Sequence, residues 1–313
     1  MSDALVVIVQ TLLIVALAPL FDGVIARMKA RFQSRRGAPV WQRYADLARL
    51  LNKESIIAED ATWLARVTPY VVFGASLAVA TWTPVLLARS SMSFAGDLVI
   101  TVALLALVRL LQAFAALECG TTFGGMAASR HVAMSALAEP ALMLAVFTLA
   151  LGAGSTDLAR ISRAVTLAPH GWLSPSHLLA LAATWLVVVS ETGRVPVDNP
   201  ATHLELTMVH EGLVLDYSGR HLALFQWAAA IRQLVLFTLV ASLFVPWGIA
   251  LDPGAAPLAV ALGVWLAKLL GFALVVALTE SLTAKMRLFR VPEYLGMAFL
   301  LSLLALTTDS LLR

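Results

Sequence analysis

The chain has 313 residues, of which 60% are hydrophobic and only 13% are charged, with a net charge of +3. Soluble domains usually carry about 25% charged residues because their surfaces face water, so this composition excludes an ordinary soluble protein and indicates a membrane protein. The single cysteine, Cys119, excludes an intramolecular disulfide and a cysteine-based zinc or iron–sulfur site, and the small net charge gives no argument for nucleic-acid binding.

Eight segments are apolar and long enough to cross a bilayer, which takes about 20 residues in a helix. The sequence therefore predicts an all-α integral membrane protein that forms one transmembrane domain over 1–313. No basic stretch precedes the first segment, so we expect a retained helix and not a cleaved signal peptide. The predicted spans are 4–21, 66–88, 95–117, 132–154, 174–192, 222–246, 256–279 and 291–310.

Lysine and arginine are distributed unevenly between the two sets of connecting loops. Fifteen of the 22 lie in or at the edge of one set, at 22–65, 118–131, 193–221 and 280–290, and only four lie in the other set. Basic residues accumulate in cytoplasmic loops. We therefore expect the first set to face the cytoplasm and both termini to face the periplasm.

The 22–65 loop contains a predicted amphipathic helix. In the stretch VWQRYADLARLLNKES, apolar side chains recur every three or four residues from Trp41 to Leu51, and charged side chains occupy the opposite face. Such a helix can lie along a membrane surface or pack on a partner protein, and the pattern does not separate these two interpretations. Both put the helix on the expected cytoplasmic face.

Several ionisable side chains fall inside or at the ends of predicted spans, where burial in lipid is costly. The acids are Glu118, Glu139, Glu191 and Glu280, and the bases are Arg109, Arg232 and Lys268. One interpretation is that buried ion pairs fix helix packing, for instance Glu139 with Arg109 or Glu280 with Lys268. The other is that the acids exchange protons, because partial burial and neighbouring carboxylates raise a carboxyl pKa towards neutrality.

The 193–221 loop is dense in titratable groups. RVPVDNP breaks regular structure with two prolines around Asp198, and ATHLELTMVHEGLVLDY then resumes a helical pattern that includes Glu205, Glu211 and Asp216. A solvated connecting loop is the plain alternative. The length and charge of this segment make it a candidate for binding a partner.

Two further motifs are weak. His203, Glu205, His210 and Glu211 lack the His-Glu-x-x-His spacing, so we expect no metal site there. The glycine pair of FGGMAASR is interpreted as a tight loop and not as a phosphate cradle.

The stretch ETGRVPVDNPATHLELTMVHEG resembles the NuoH-like family of complex I membrane subunits, and within it the branch of formate hydrogenlyase subunit 4 and hydrogenase-4 component C. That family carries Glu-Thr-x-Arg-x-Pro-Phe-Asp-x-Pro, followed by a Glu-Leu pair and later a Glu-Tyr pair. The matching positions here are Glu191, Thr192, Arg194, Pro196, Asp198, Pro200, Glu205, Leu206, Asp216 and Tyr217.

Three other stretches are similar to the same branch: RRGAPVWQRYADLARLLNKE, FGGMAASR followed by LAEPAL, and LTESLTAKMRLFRVPEYL. Quinone-reducing members carry further glutamates where this chain has Ala201 and His203, and a proline where it has Ala38. These differences favour the hydrogenase branch over quinone-linked complex I.

The resemblance implies a subunit with no catalytic centre of its own, in the cytoplasmic (inner) membrane of a bacterium or archaeon. It would anchor a peripheral [NiFe]-hydrogenase to antiporter-like membrane subunits and contribute to a proton pathway. The resemblance puts the NiFe centre and the iron–sulfur clusters in partner subunits, namely the hydrogenase large and small subunits and iron–sulfur subunits, and no cofactor in this chain.

The resemblance also implies that the 193–221 loop docks the peripheral redox module. Together with the ionisable residues in and near the spans, it gives the following candidate roles. The proton-pathway candidates are Glu118, Glu139, Glu191, Asp198, Glu205, Glu211, Asp216 and Glu280. The candidate charge partners are Arg109, Arg130, Arg194 and Lys268. The candidate docking residues for the peripheral arm are Arg35, Arg36, Asp46, Lys53, Glu54, His203 and His210.

Three alternatives differ in class from this interpretation. The chain could be a purely structural anchor, whose acids only pair with basic residues, or a quinone-binding subunit of a complex I-like NADH:quinone oxidoreductase. A stand-alone secondary transporter usually shows internal repeats, and no repeat is detected in the sequence.

Overall fold

The structure is a computed structural model that describes residues 3–57, 61–88, 96–168, 173–198 and 209–312. These residues form ten α-helices joined by turns and short helical segments. The helices are α1 (Asp3–Phe32), α2 (Gln42–Leu51), α3 (Trp63–Trp82), α4 (Leu98–Glu118), α5 (Thr122–Ala153), α6 (Leu158–Leu167), α7 (Pro175–Glu191), α8 (Gly219–Leu239), α9 (Ala255–Leu282) and α10 (Val291–Leu312).

Seven of the helical segments in the described ranges are long and apolar enough to span a membrane. They are Leu5–Phe32, Trp63–Trp82, Leu98–Glu118, Thr122–Ala153, Gly219–Phe244, Ala255–Leu282 and Leu288–Leu311. The remaining predicted span, 174–192, is the apolar helix α7, which has only 17 residues. It is therefore about 26 Å long, somewhat short of a hydrocarbon core of roughly 30 Å. The prediction of an all-α, multi-pass membrane protein is confirmed.

The interpretation of FGGMAASR as a tight loop was wrong. The stretch lies in the first turns of α5, whose start is capped by the Thr121 side chain accepting a hydrogen bond from the Gly124 amide at 3.1 Å. A Cβ on Gly124 would come within 2.7 Å of the Ala116 carbonyl oxygen on α4. The glycine is therefore explained by the close approach of two helices.

The predicted amphipathic helix is present as α2, with Leu47 buried against the rest of the protein and Trp41, just before it, 66% exposed. α2 packs on α1 and α8 of the same chain. Its apolar face is therefore partly covered by this chain itself, which neither of the two expected alternatives included.

The bundle has two chemically different ends. One end carries α2, residues 192–198 and residues 283–290, which are tied together by contacts such as the Met286 amide donating to the Pro196 carbonyl at 2.9 Å; we call it the basic end. At the opposite end, short bridges join Leu87 to Ala250 and Asp97 to Asp157. α4 and α7 run towards the basic end, and α5 and α8 run away from it.

α8 does not stop as an ordinary α-helix. It continues into a wider π-helical turn, Val240–Phe244, whose five residues are all buried. A π turn adds one residue to a helical turn and shifts the carbonyls that follow it. Upstream of this turn, the Phe237 ring packs at 5.3 Å on Phe21 of α1 and at 5.8 Å on Trp185 of α7.

The first residue of α8 fixes how the chain enters the bundle at the basic end. Gly219 has a left-handed φ of 52°, and a Cβ there would lie 2.1 Å from the Glu54 carbonyl oxygen. The preceding Ser218 hydroxyl accepts a hydrogen bond from the Ile56 amide at 2.8 Å. The segment after α2 is therefore held directly against the start of α8.

Replacing Gly219 by alanine should destabilise the protein. The left-handed backbone alone costs a residue with a Cβ about 1–2 kcal/mol, and the overlap with Glu54 adds to that cost. We expect a lower midpoint of thermal unfolding for Gly219→Ala in detergent. Gly271→Ala is the matched control, because nothing lies within 4 Å of the added Cβ. Equal midpoints for the two variants would contradict this account.

Candidate functional site

Arg109 lies at the centre of a charged cluster inside the bundle. Its side chain, on α4, is only 3% exposed. One terminal nitrogen lies 3.0 Å from Oε1 of Glu139 on α5, and the other lies 2.7 Å from Oε2 of Glu191 at the end of α7. A single buried cation thus joins three helices through two carboxylates.

Arg232 on α8 completes the cluster. It forms no ion pair among the described residues, and its Nε is buried without a hydrogen-bond partner, but its charge acts on Glu191. The Arg109 cluster, defined as Arg109, Glu139, Glu191 and Arg232, therefore balances two positive and two negative charges. The sequence placed Arg232 inside a predicted span, but hydropathy does not show which helices face each other. Its position beside the two acids was therefore not predicted.

The two acids of the Arg109 cluster differ in exposure. The Glu191 side chain is 11% exposed, whereas that of Glu139 is 32% exposed. Glu139 is followed by the exposed Pro140, which has no backbone amide to donate. Ionisable groups at membrane depth usually face a protein interior or a hydrated path. We therefore expect the exposed side of Glu139 to face water or another protein and not lipid.

A row of polar groups lies between the Arg109 cluster and the basic end. His131 on α5 is buried and interacts electrostatically with Glu191. Its ring lies 5.4 Å from the His210 ring in an edge-on contact. His210 Nδ1 lies 3.5 Å from Asp198 Oδ2, so the row passes from α5 to the turn that follows α7.

Asp198 is held in its ionised form at the outer end of this row. Burial by itself would raise the pKa of Asp198, but the hydrogen bond from His210 and the nearby Lys285 hold that pKa well below its ordinary range. The Lys285 Nζ lies 3.1 Å from Asp198 Oδ1. This pairing counts against Asp198 releasing or taking up protons at neutral pH.

Arg194 organises a second cluster at the basic end. One terminal nitrogen contacts Asp22 of α1 and Oε1 of Gln233 on α8, at 2.9 Å. The other lies 3.5 Å from Oε1 of Glu280 on α9. Lys29 pairs with the second Glu280 oxygen at 2.8 Å. We call Arg194, Asp22, Glu280 and Lys29 the Arg194 cluster.

The suggested pair of Glu280 with Lys268 is absent, because Glu280 is bound by Lys29 and Arg194. The Lys268 amine instead donates to the carbonyl oxygens of Val245 and, at 3.4 Å, Ala241. It therefore caps the π turn at the end of α8, as basic side chains often do at helix C-termini.

Glu118 and Asp216 lie apart from both clusters, at the turn between α4 and α5. Glu118 Oε1 accepts a hydrogen bond from the Thr62 amide at 2.6 Å, and Asp216 Oδ2 accepts one from the Thr121 hydroxyl at 2.8 Å. Burial, together with the nearby Cys119, Glu118 and Asp216, raises the pKa of Tyr217.

The remaining sequence-predicted residues are scattered. Glu205 and His203 lie outside the described residues. Glu211 is exposed, and Arg130 is half-buried. Of the docking candidates on the first loop, Arg35, Arg36, Lys53 and Glu54 are exposed, and Asp46 is half-buried. Within the described ranges, no three His, Cys, Asp or Glu side chains converge to hold a metal ion.

Comparisons with known proteins agree with the resemblance in the sequence. The chain matches the family described as NADH dehydrogenase over residues 4–308. It is 34% identical to formate hydrogenlyase subunit 4 of Escherichia coli (strain K12) over 304 residues, covering 95% of this chain and 98% of that protein. It is 33% identical to hydrogenase-4 component C of the same bacterium over 297 residues, covering 95% and 92%.

The fold is also similar to a chain of the membrane-bound sulfane sulfur reductase, an archaeal respiratory membrane complex. The TM-score is 0.82, with 97% of this chain and 99% of that chain covered, and the identity is 20%. That likeness shows a shared fold alone. The family match and the identity to the two E. coli proteins go further: the chain belongs to the NADH dehydrogenase family, in its NuoH-like group together with formate hydrogenlyase subunit 4 and hydrogenase-4 component C.

Proposed function

We propose that this chain is the membrane-anchor and proton-pathway subunit of a membrane-bound [NiFe]-hydrogenase complex of the formate hydrogenlyase type. The names of two relatives that align with nearly the whole chain support the type of complex. The observation that carries the proton-pathway part is the row from the Arg109 cluster through His131 and His210 to the basic end.

Glu139 and Glu191 share the guanidinium of Arg109, whereas Asp198 has both Lys285 and His210 beside it. This sharing is what supports proton exchange at the Arg109 cluster. Protonation of one carboxylate removes its attraction for the arginine, which then interacts more strongly with the other. A change of charge at either carboxylate is therefore felt by the other through the shared guanidinium.

Charge arriving at the basic end would act on this pair through the two histidines. Positive charge near His210 stabilises the negative charge of Glu191, with which His210 interacts electrostatically. Electron transfer in a docked module would also change the charge near His210 and bias the pair, but an added electron would act in the opposite sense to an added proton. A coupling free energy of about 1–3 kcal/mol would suffice for an allosteric link of ordinary strength.

The same proposal assigns the partners and the orientation. The basic end would face the cytoplasm and dock the hydrogenase large and small subunits and iron–sulfur subunits, with the NiFe centre and the iron–sulfur clusters in those partners. Antiporter-like membrane subunits would lie against the membrane-embedded sides. The exposed residues Arg35, Arg36, Lys53 and Glu54 would contribute to the docking surface.

A purely structural anchor is the second candidate function. It is favoured by the Arg194 cluster, in which Asp22 and Glu280 are each bound by two basic side chains from different elements. In that case the acids of the Arg109 cluster would also serve only to hold helices together.

Neutralising the acids of the Arg109 cluster separates the two candidates. In the assembled complex we expect Glu191→Gln and Glu139→Gln each to lower proton movement and hydrogen production by about tenfold or more, because an amide cannot relay a proton. Asp252→Asn is the control, since Asp252 is an exposed acid between α8 and α9 and lies outside both clusters and the docking candidates. Both activities should be measured on inverted vesicles, with complex assembly verified. Unchanged activities in both glutamine variants would favour the anchor.

The anchor part of the proposal predicts a stabilising role for Lys285. Lys285→Met leaves Asp198 buried with less compensation, at a cost of about 1–3 kcal/mol, and should lower the thermal unfolding midpoint at pH 7. Because the folded pKa of Asp198 is depressed, its stabilising effect is complete above the ordinary aspartate pKa of about 3.9 and is lost as the pH falls below that value.

The difference between wild type and Lys285→Met should therefore persist from pH 7 to pH 5 and shrink on further acidification. Lys53→Met, which removes an exposed lysine, is the control. A constant difference at all pH values would show that the lysine acts through packing and not through the charge of Asp198.

A further inference from the structure

An apolar cavity lies immediately next to the Arg109 cluster. It lies between the cluster and the end of the bundle opposite the basic end. Each of the four helices that carry a charged residue of the cluster also contributes a cavity-lining residue one turn closer to the opposite end. These are Leu105 on α4, Leu142 on α5, Val188 on α7 and Leu236 on α8. The charged layer thus rests directly on an apolar layer made by the same helices.

The cavity offers a water molecule few partners. Its volume of about 20 Å³ exceeds the roughly 10–15 Å³ that one water occupies, but a buried water also needs several polar partners. The polar side chains in the lining are Thr101 and Thr184. Their hydroxyls donate to the Asp97 and Ala180 carbonyls of their own helices at 3.0 and 2.8 Å. Apolar cavities of this kind stay dry.

The apolar layer continues to the far surface along α4. Leu105, Val102, Thr101 and Leu98 line the cavity over about two turns of α4. Leu98 follows Asp97, which is bridged to Asp157 at the opposite end. Over this depth, the lining formed by the described residues therefore provides no relay of free polar groups for a proton.

We propose that this cavity is a dry seal, which prevents protons of the Arg109 cluster from crossing this chain to the opposite face. The inference rests on the proposed function, because a seal matters only if the cluster exchanges protons. Proton conduction needs a chain of water or polar groups, and apolar constrictions block it by excluding water. Leu105 and Val188 would then determine the direction in which the cluster can exchange protons, without taking part in the exchange.

The seal is tested by making the cavity polar. The complete complex should be reconstituted into liposomes without substrate, and passive proton entry down an imposed gradient followed with a trapped pH-sensitive dye. For Leu105→Asn we expect entry at least about tenfold faster than for wild type, because a hydrated constriction conducts. Leu107→Asn is the matched control: it carries the same change on the same helix but on a 39% exposed side chain, and should not leak.

A second variant covers the case in which Leu105→Asn fails to assemble. Val188→Thr keeps the side-chain volume and adds one hydroxyl to the cavity, and we again expect faster proton entry than in wild type. If every assembled cavity variant is as tight as wild type and Leu107→Asn, the seal is refuted.

A double variant separates this inference from the proposed function. Adding Glu191→Gln to Leu105→Asn should slow the leak again if the leaking protons pass through the Arg109 cluster. A leak that Glu191→Gln leaves unchanged would overturn the claim that the seal protects this cluster. Tight cavity variants, combined with a loss of turnover in Glu191→Gln alone, would refute the seal and leave the proton pathway standing.

Discussion

The sharing of one buried guanidinium between two carboxylates is the constraint on which the centre of this protein depends. An arginine at membrane depth is costly unless it is paired, and Arg109 finds its partners on two other helices, at 3.0 Å from Glu139 and 2.7 Å from Glu191. The pairing fixes α4, α5 and α7 relative to one another. It also links the two acids electrostatically, because both interact with the same guanidinium.

The Arg194 cluster has a different character, although it uses the same residue types. Asp22 is bound by Arg194 and Arg43, and Glu280 by Arg194 and Lys29. The Glu280 side chain is only 2% exposed, whereas Glu139 keeps a third of its surface open. The Arg194 cluster suits a fixed joint between α1, α9 and the turn after α7. The Arg109 cluster leaves one acid accessible, which is what the proposed proton exchange requires.

Hydropathy predicted most of the helices, because apolar length directly reflects a requirement of the bilayer. Charge partners were harder to predict. The pair of Glu139 with Arg109 was among the suggestions, but Glu280 with Lys268 was wrong. Both residues lie on α9, twelve positions apart, which is about 18 Å along a helix and beyond the reach of their side chains.

Asp22 was overlooked because α1 was expected to end at residue 21, whereas it continues to Phe32. Glu205 lies outside the described residues and stays a prediction.

The wide turn at the end of α8 links more of the bundle than its five residues suggest. Its Ser242 and Phe244 carbonyls accept hydrogen bonds from Ser162 of α6, at 2.8 Å, and from His177 of α7, at 2.9 Å, while Lys268 of α9 binds the carbonyls of Ala241 and Val245. These carbonyls are available because they lie in the last turn of the helix, where carbonyls have no intrahelical partner. Deleting one residue there would rotate them away from three neighbouring helices together, so chain length in this turn is constrained more tightly than the identity of its apolar side chains.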